Sequence, residues 1–188
     1  TLQILQCRPA EHLTDAGPDR EHCLPALRAF IADQPDAVFG LDFPFGLPQA
    51  LVDEGTWEEF VLTFSDHYIG PDEFRAHCRQ AGGRHDLKRA TDDNAHTPFS
   101  PYNLRVYKQT YYGIRGVLAP LVLDELACVL PRPLQRPLPG RARIIEVCPA
   151  STLKHEHLYE SYKGDTPALR EARQRILQGI LEGGAISI

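Results

Sequence analysis

The most informative part of this sequence is Phe39-Gly40-Leu41-Asp42-Phe43-Pro44-Phe45-Gly46-Leu47-Pro48. It continues a short apolar run that starts at Ala37 and ends at Leu41, which is typical of a strand buried in a parallel sheet. Asp42 stands at the carboxyl end of this strand, before prolines and a glycine. Since functional side chains of such sheets cluster at that end of the strands, Asp42 is a candidate for chemistry. The alternative is that Asp42 caps a turn.

A second acid occupies a similar position further along the chain. Residues Ala142 to Val147 are again mostly apolar, Glu146 comes near their end, and Cys148-Pro149 follows. Strands of one parallel sheet bring their carboxyl ends to the same edge, so we expect Asp42 and Glu146 to lie close together. Two neighbouring carboxylates stay ionised at low cost only when a cation lies between them. The pair therefore predicts a site for a divalent metal ion.

Composition restricts the class of protein. The 188 residues are 43% hydrophobic and 24% charged, as in an ordinary globular protein, so we expect a single domain over residues 1–188. The five cysteines are widely spaced without a Cys-x-x-Cys pair. This spacing argues against a disulfide framework or a zinc ribbon and favours a reducing cytoplasm. No apolar run has the length of a membrane span, so we expect no membrane partner.

The charge pattern leaves two interpretations open. A net charge of −5 disfavours bulk attraction to nucleic acid. Between Asn94 and Leu123, however, there is no acid, and basic residues alternate with aromatic ones: Phe99, Tyr102, Arg105, Tyr107, Lys108, Tyr111, Tyr112 and Arg115. Cations between aromatic rings are typical of a surface that binds phosphates and bases. The same residues also fit a tyrosine-rich core helix whose basic side chains reach the solvent.

Sequence periodicity predicts alternating strands and helices. Residues 2–7 alternate like a strand, and a helix with an apolar face from Leu24 to Ile31 follows before the strand quoted above. This strand–helix–strand order favours a right-handed parallel crossover. From about residue 49 to 83 we expect a helical insertion. Its first helix has a capping box at Thr56–Glu59, and its second begins at Pro71.

Two further charged groups are candidate substrate ligands. In Arg84-His85-Asp86-Leu87-Lys88-Arg89, the two arginines suit a phosphate or carboxylate, with Asp86 orienting one of them. A solvated helix start explains the same pattern. Lys163 precedes a flexible glycine near a predicted helix start that carries Arg170, where a phosphate is favoured; a polar turn is the alternative. No Walker A, Gly-x-Ser-x-Gly or His-Glu-x-x-His motif is present.

Four motifs follow one another over about 130 residues: Gly40-Leu41-Asp42-Phe43-Pro44-Phe45-Gly46-Leu47-Pro48, Arg84-x-Asp86-x-x-Arg89, Glu146-Val147-Cys148-Pro149-Ala150, and Tyr162-Lys163-Gly164 with Arg170. As an ordered set they resemble the DUF429 family, a group of predicted nucleases with a ribonuclease H-like fold. The resemblance implies a mixed sheet flanked by helices, with acids around divalent metal. Asp42 and Glu146 match two of the family's acids. The others would lie beyond Thr1 and Ile188, so we expect a domain incomplete at both ends.

One main hypothesis and two alternatives follow. The chain is expected to be an α/β protein of ribonuclease H-like fold and a metal-dependent phosphodiester hydrolase, a nuclease. Asp42 and Glu146 would be the catalytic acids that bind Mg²⁺ or Mn²⁺. The partner would be nucleic acid or another phosphate ester, held by Arg84, Asp86, Arg89, Lys163 and Arg170. The alternatives are a non-catalytic nucleic-acid or nucleotide-binding module on the same scaffold, and a phosphoryl-transfer enzyme.

Overall fold

The computed structural model describes residues 2–3, 5–83, 85–130, 139–183 and 186–187. The chain forms two compact units, a larger one of Ala10–Cys148 and a smaller one that combines Thr1–Pro9 with Pro149–Ile188. Within the described residues, no helix is both long and apolar enough to cross a membrane. The expectation of one domain over residues 1–188 stays a prediction.

Helices and strands are mixed along the chain. In chain order they are β1 (Leu2–Gln3), α1 (Arg20–Ala32), β2 (Val38–Leu41), α2 (Trp57–His67), α3 (Pro71–Gly82), α4 (Ala90–Asn94), α5 (Tyr107–Gly113), a π-helical turn (Ile114–Leu118), α6 (Ala119–Leu123), β3 (Ala127–Leu130), β4 (Ala142–Glu146), α7 (Pro149–His155), α8 (Pro167–Glu182) and β5 (Ile186–Ser187). Short 3-10 helices at Ala10–His12 and Gln49–Leu51 precede α1 and α2. The predicted α/β class is confirmed.

The larger unit contains a three-stranded parallel sheet in the order β2-β4-β3. Its central strand β4 pairs Glu146 with Leu41 of β2 and Ile145 with Leu130 of β3. The interior of the sheet is buried, with Ile144 fully inaccessible, whereas the edge strand β2 is half exposed. Because the strands run in one direction, β2 and β4 end side by side at one edge. The ribonuclease H-like arrangement itself stays a prediction.

Helices α2 and α3 lie in the segment for which the sequence predicts a helical insertion. The predicted capping box is formed, because Thr56 Oγ1 accepts the Glu59 N–H at 3.1 Å while Glu59 Oε2 accepts the Thr56 N–H at 3.0 Å. Gly83, with a φ of 78°, ends α3 in the left-handed region that favours glycine. The apolar faces of both helices enter the core of the larger unit beside α5 and the π-helical turn.

The core interpretation of the tyrosines is confirmed for three of them. Tyr102, Tyr107 and Tyr111 are buried, whereas Tyr112 is only half buried. Each of the three buried hydroxyls has a hydrogen-bond partner, as buried phenols require: the Leu87 N–H, the Asp72 carboxylate and the Ile69 carbonyl, respectively. Tyr112 is therefore the one of these four tyrosines that is left with an accessible face.

In the smaller unit, α8 begins with the cap that its sequence favours. Thr166 Oγ1 accepts the Leu169 N–H at 3.4 Å, and Pro167 occupies the first helical position. Strand β1 pairs in parallel with β5 within this unit. The expected crossover from the first strand to the Asp42 strand stays a prediction. Periodicity identifies a strand but not its partner, which here comes from the other end of the chain.

Gly113, the last residue of α5, gives the first testable prediction. A Cβ atom added there would lie 2.4 Å from Cδ2 of the Phe43 ring. In an open helix, replacing Gly by Ala stabilises by about 1 kcal/mol. Here the collision outweighs this gain, so we expect Gly113→Ala to lower the free energy of unfolding by about 1–3 kcal/mol. Urea denaturation followed by circular dichroism measures it.

Gly183→Ala is the matched control for this substitution. A Cβ atom at Gly183 would meet no heavy atom closer than 3.5 Å, and the backbone there has helical dihedral angles. The free energy of unfolding should stay within about 0.5 kcal/mol of the unsubstituted protein. If Gly113→Ala behaved like Gly183→Ala, the close packing of Phe43 against α5 would be refuted.

Candidate functional site

Asp42 lies on the wall of a cavity of about 510 Å³ in the larger unit, which we call the Asp42 cleft. Three elements line it: α1, the end of β2 with the residues that follow, and α5 with the π-helical turn. The polar lining residues are Arg20, Asp42, Lys108 and Gln109. All four are exposed. The cleft therefore brings two cations and one carboxylate together at the carboxyl end of a parallel strand.

Local structure positions these polar groups. Helix α1 begins at Arg20 because the carboxylate of Asp19 accepts a backbone N–H of the first turn at 3.0 Å. The guanidinium carbon of Arg20 lies 3.8 Å from the centroid of the Tyr112 ring, a cation–π contact. The side-chain amide of Gln109 donates to the backbone carbonyl of Asp42 and so joins α5 to the end of β2.

The inner walls of the Asp42 cleft are apolar. They are formed by Leu24, Leu27, Leu41, Phe43 and Val117. Two of these wall residues pack closely against glycines of α5 and the π-helical turn. An added Cβ atom at Gly113 would collide with the side chain of Phe43, and one at Gly116 would collide with that of Leu24. The π-helical turn, which contains Gly116, is a rare form of helix that often occurs at functional sites.

Glu146, the second predicted acid, is held in a two-bond ion pair with Arg89. Arg89 Nη2 lies 2.6 Å from Oε1 of the carboxylate, and Nη1 lies 2.8 Å from Oε2. Oε2 also accepts the backbone N–H of Phe45 at 2.9 Å. This is the geometry of strong, charge-assisted pairs. The carboxylate thus ties the end of β4 to the loop after β2 and to the residue before α4.

Asp92 also pairs with Arg89, and we call Arg89, Asp92 and Glu146 together the Arg89 cluster. The carboxylate of Asp92 is 3% exposed and accepts from Arg89 Nη2 at 2.6 Å, from Nε at 3.0 Å and from the backbone N–H at 2.9 Å. Burial opposes both charges, but the hydrogen bonds and opposite charges outweigh it. They hold the pKa of Asp92 below its ordinary value and, with Glu146, the pKa of Arg89 above its own.

Asp92 was not among the site residues predicted from the sequence, although a signal for it exists. An acid three residues after the residue that precedes a helix commonly accepts that residue's backbone N–H. Arg89 and Asp92 have this spacing around the start of α4. The same spacing also lets the carboxylate reach the guanidinium of Arg89.

The two predicted acids have different surroundings. The register pairs Glu146 with Leu41, so Asp42 lies one residue beyond the end of β2. Asp42 lines the cleft, and Glu146 forms its ion pair with Arg89. Among the residues that the structure describes, no three or more His, Cys, Asp or Glu side chains are grouped to hold a metal ion. The metal site stays a prediction.

Of the other predicted substrate ligands, Asp86 and Arg89 belong to the larger unit and do not line the Asp42 cleft. The carboxylate of Asp86 accepts from the Asn103 amide at 3.0 Å, and Arg89 is oriented by Asp92 and Glu146. Arg84 lies outside the described residues. Lys163 and Arg170 are exposed residues of the smaller unit.

Comparison of the chain with models of known protein families, with curated proteins and with solved structures gives no match. The α/β class follows from the observed helices and strands. The resemblance to the DUF429 family stays a prediction, and so does the activity that it implies. Function is therefore inferred from the geometry of the Asp42 cleft and the Arg89 cluster.

Removal of Arg89 gives the second prediction. In Arg89→Ala, Asp92 stays buried without its cation, and breaking a buried pair in this way costs about 3–5 kcal/mol. Because Glu146 keeps a third of its side-chain surface exposed, we expect the lower end, a loss of about 3 kcal/mol in the free energy of unfolding. Urea denaturation at neutral pH measures it.

Arg175→Ala is the matched control. Arg175 makes the same type of two-bond contact with Glu160, at 3.0 and 2.6 Å, but on the surface of the smaller unit. Exposed pairs contribute little because solvent screens them. Its removal should cost much less than that of Arg89, and equal losses would show that the Arg89 cluster does not stabilise the fold.

The lowered pKa of Asp92 gives a third prediction, on acid stability. A carboxyl whose pKa is lower in the folded state stabilises the fold above its unfolded value of about 4. That contribution is lost as the pH falls from there through the folded-state pKa. Below about pH 4, the free energy of unfolding should therefore fall more steeply for the unsubstituted protein than for Asp92→Asn, as denaturation at several pH values can measure. Parallel slopes would contradict this role.

Proposed function

We propose that the larger unit is a metal-dependent phosphodiester hydrolase of ribonuclease H-like architecture, with the substrate phosphate in the Asp42 cleft. The observation that carries the proposal is the convergence of Arg20, Lys108 and Asp42 on one cavity at the end of β2. In open α/β sheets, ligands bind outside the carboxyl ends of the strands. Two cations beside one carboxylate suit an anion that also attracts a metal ion.

Arg20 and Lys108 would bind the charged oxygens of the phosphodiester. They come from different helices, α1 and α5, so a phosphate between them would accept hydrogen bonds from both. The Tyr112 ring restricts the guanidinium of Arg20 and thus orients it before the substrate arrives. Phosphoryl chemistry depends mainly on positioning and electrostatic stabilisation, which are the contributions that these side chains would make.

Asp42 is the proposed protein ligand for Mg²⁺ or Mn²⁺. Mg²⁺ is often held by one or two carboxylates together with substrate phosphates, so one carboxylate beside a phosphate site fits this ion. When bound, the ion would neutralise phosphate charge and lower the pKa of a coordinated water. Glu146 is the proposed second acid, and its ion pair with Arg89 must open before it could contribute.

The ion-pair cluster supports the proposed ribonuclease H-like architecture. Three of the four motifs that resemble the DUF429 family meet at one carboxylate: Glu146 accepts from Phe45 of the first motif and from Arg89 of the second. The parallel order β2-β4-β3 also brings the strands that precede Asp42 and contain Glu146 side by side. Motifs about 100 residues apart in sequence therefore act as one structural unit.

The second candidate function is a non-catalytic module that binds a nucleotide or nucleic acid. The observation that favours it is the ion pair of Glu146, because Arg89 neutralises one of the two proposed catalytic acids. Such a module would bind the same phosphate in the Asp42 cleft and leave it intact. Hydrolysis separates the two candidates directly.

Asp42→Asn gives the fourth prediction. Hydrolysis of a phosphodiester substrate with Mg²⁺ or Mn²⁺ should fall by about 10²–10³, as when one electrostatic group is removed from an active site. The change keeps the size of the side chain, so the unfolding curve should stay nearly the same. Initial rates on single-stranded DNA, on RNA and on a small phosphodiester, with each ion in turn, measure the effect.

Asp93→Asn serves as the control because Asp93 is an exposed acid outside the Asp42 cleft. It should hydrolyse at the rate of the unsubstituted protein. Activity that Asp42→Asn retains in full would overturn the assignment of Asp42. Substrate binding without any hydrolysis would favour the non-catalytic module.

A further inference from the structure

We propose that the ligand of the Asp42 cleft is a nucleoside phosphate whose base is unpaired. The base would enter the apolar cavity, and the phosphate would stay at the rim with Arg20 and Lys108. This proposal rests on one part of the proposed function, namely that the Asp42 cleft binds a phosphate. It needs neither a metal ion nor cleavage.

The size of the cavity suits a single unpaired base better than the stacked base pairs of a duplex. Its volume of about 510 Å³ lies in the range of about 300–1,000 Å³ that is usual for small-ligand sites. A duplex keeps its bases stacked and paired, so that a pocket receives a base only after the base has left the stack. A free nucleotide or a single strand offers its base without that cost.

The interior of the cavity suits the faces of a base. Leu24, Leu27 and Val117 are apolar, and beside them the guanidinium of Arg20 lies against the Tyr112 ring at 3.8 Å. Bases stack on guanidinium planes and on aromatic rings with little regard to sequence. The stacked pair therefore provides a flat platform at the edge of an apolar space, a combination that an isolated phosphate would not use.

The distribution of charge favours a short ligand. The chain carries a net charge of −5, yet the Asp42 cleft has two cations for one acid. A local positive charge attracts the phosphate of a nucleotide, whereas the overall negative charge repels a long polyanion. A nucleotide or a short single strand thus fits both the cleft and the rest of the surface better than a long duplex does.

Equilibrium binding in EDTA tests the proposal. Fluorescence anisotropy would compare a labelled single strand of about ten nucleotides with a duplex of the same sequence. Nucleoside monophosphates, ribose 5-phosphate and inorganic phosphate would be the competitors. We expect the single strand to bind at least tenfold more tightly than the duplex, and the nucleoside monophosphates to compete at least tenfold better than ribose 5-phosphate.

Arg20→Lys separates stacking from charge. It keeps the positive charge but removes the planar group, so binding of the single strand should weaken about tenfold while competition by ribose 5-phosphate stays the same. Lys108→Ala should weaken both. Arg105→Ala is the control, since Arg105 lies 5.4 Å from the Phe99 ring but does not line the cleft. Unfolding curves verify that each variant is folded.

The outcomes distinguish this inference from the proposed function. Equal binding of single strand and duplex, equal competition by ribose 5-phosphate, or unchanged binding of the single strand by Arg20→Lys overturns the inference. Selective binding without hydrolysis in Mg²⁺ or Mn²⁺ supports it and overturns the hydrolase. Competition by a monophosphate as strong as that of the unlabelled strand identifies a free nucleotide as the ligand, and tighter binding of the strand identifies a nucleic acid.

Discussion

The guanidinium of Arg89 joins parts of the larger unit that lie far apart in sequence. It binds Asp92 three residues away and Glu146 57 residues away, and Glu146 in turn holds Phe45 across 101 residues. Asp92 is buried, so its carboxylate would be left as an unpaired charge in the interior if the guanidinium of Arg89 were removed. The loop after β2, and with it the position of Asp42, depends on this balance.

Local signals predicted those parts of the fold that depend on neighbouring residues. The strand before Asp42, the strand that contains Glu146 and the capping box at Thr56–Glu59 were all recognisable from short stretches. Strand β3 was missed because its four apolar residues, Ala127–Leu130, look the same as a segment of buried helix. The pairing of β1 with β5 was not predicted because strand pairing depends on contacts between distant segments.

The site was predictable in its residue types but not in its pairings. The position of Asp42 at the end of a strand followed from sequence, whereas the pairing of Glu146 with Arg89 required the fold. The basic and aromatic segment from 94 to 123 fitted either a core helix or a surface that binds phosphates and bases. Burial assigns some of its residues to the core and leaves others accessible. Most of its tyrosines belong to the core, while Tyr112 and Lys108 line the Asp42 cleft, where α1 adds Arg20.

The glycines of α5 and the π-helical turn also have an evolutionary consequence. Gly113 faces Phe43 and Gly116 faces Leu24, so each pair combines a residue without a side chain with a large one on the cavity wall. A larger residue at either glycine needs a smaller one opposite, because the space between them is already filled. The members of each pair should therefore covary among relatives. Such paired exchanges would reshape the cavity, and its choice of ligand, without unfolding the protein.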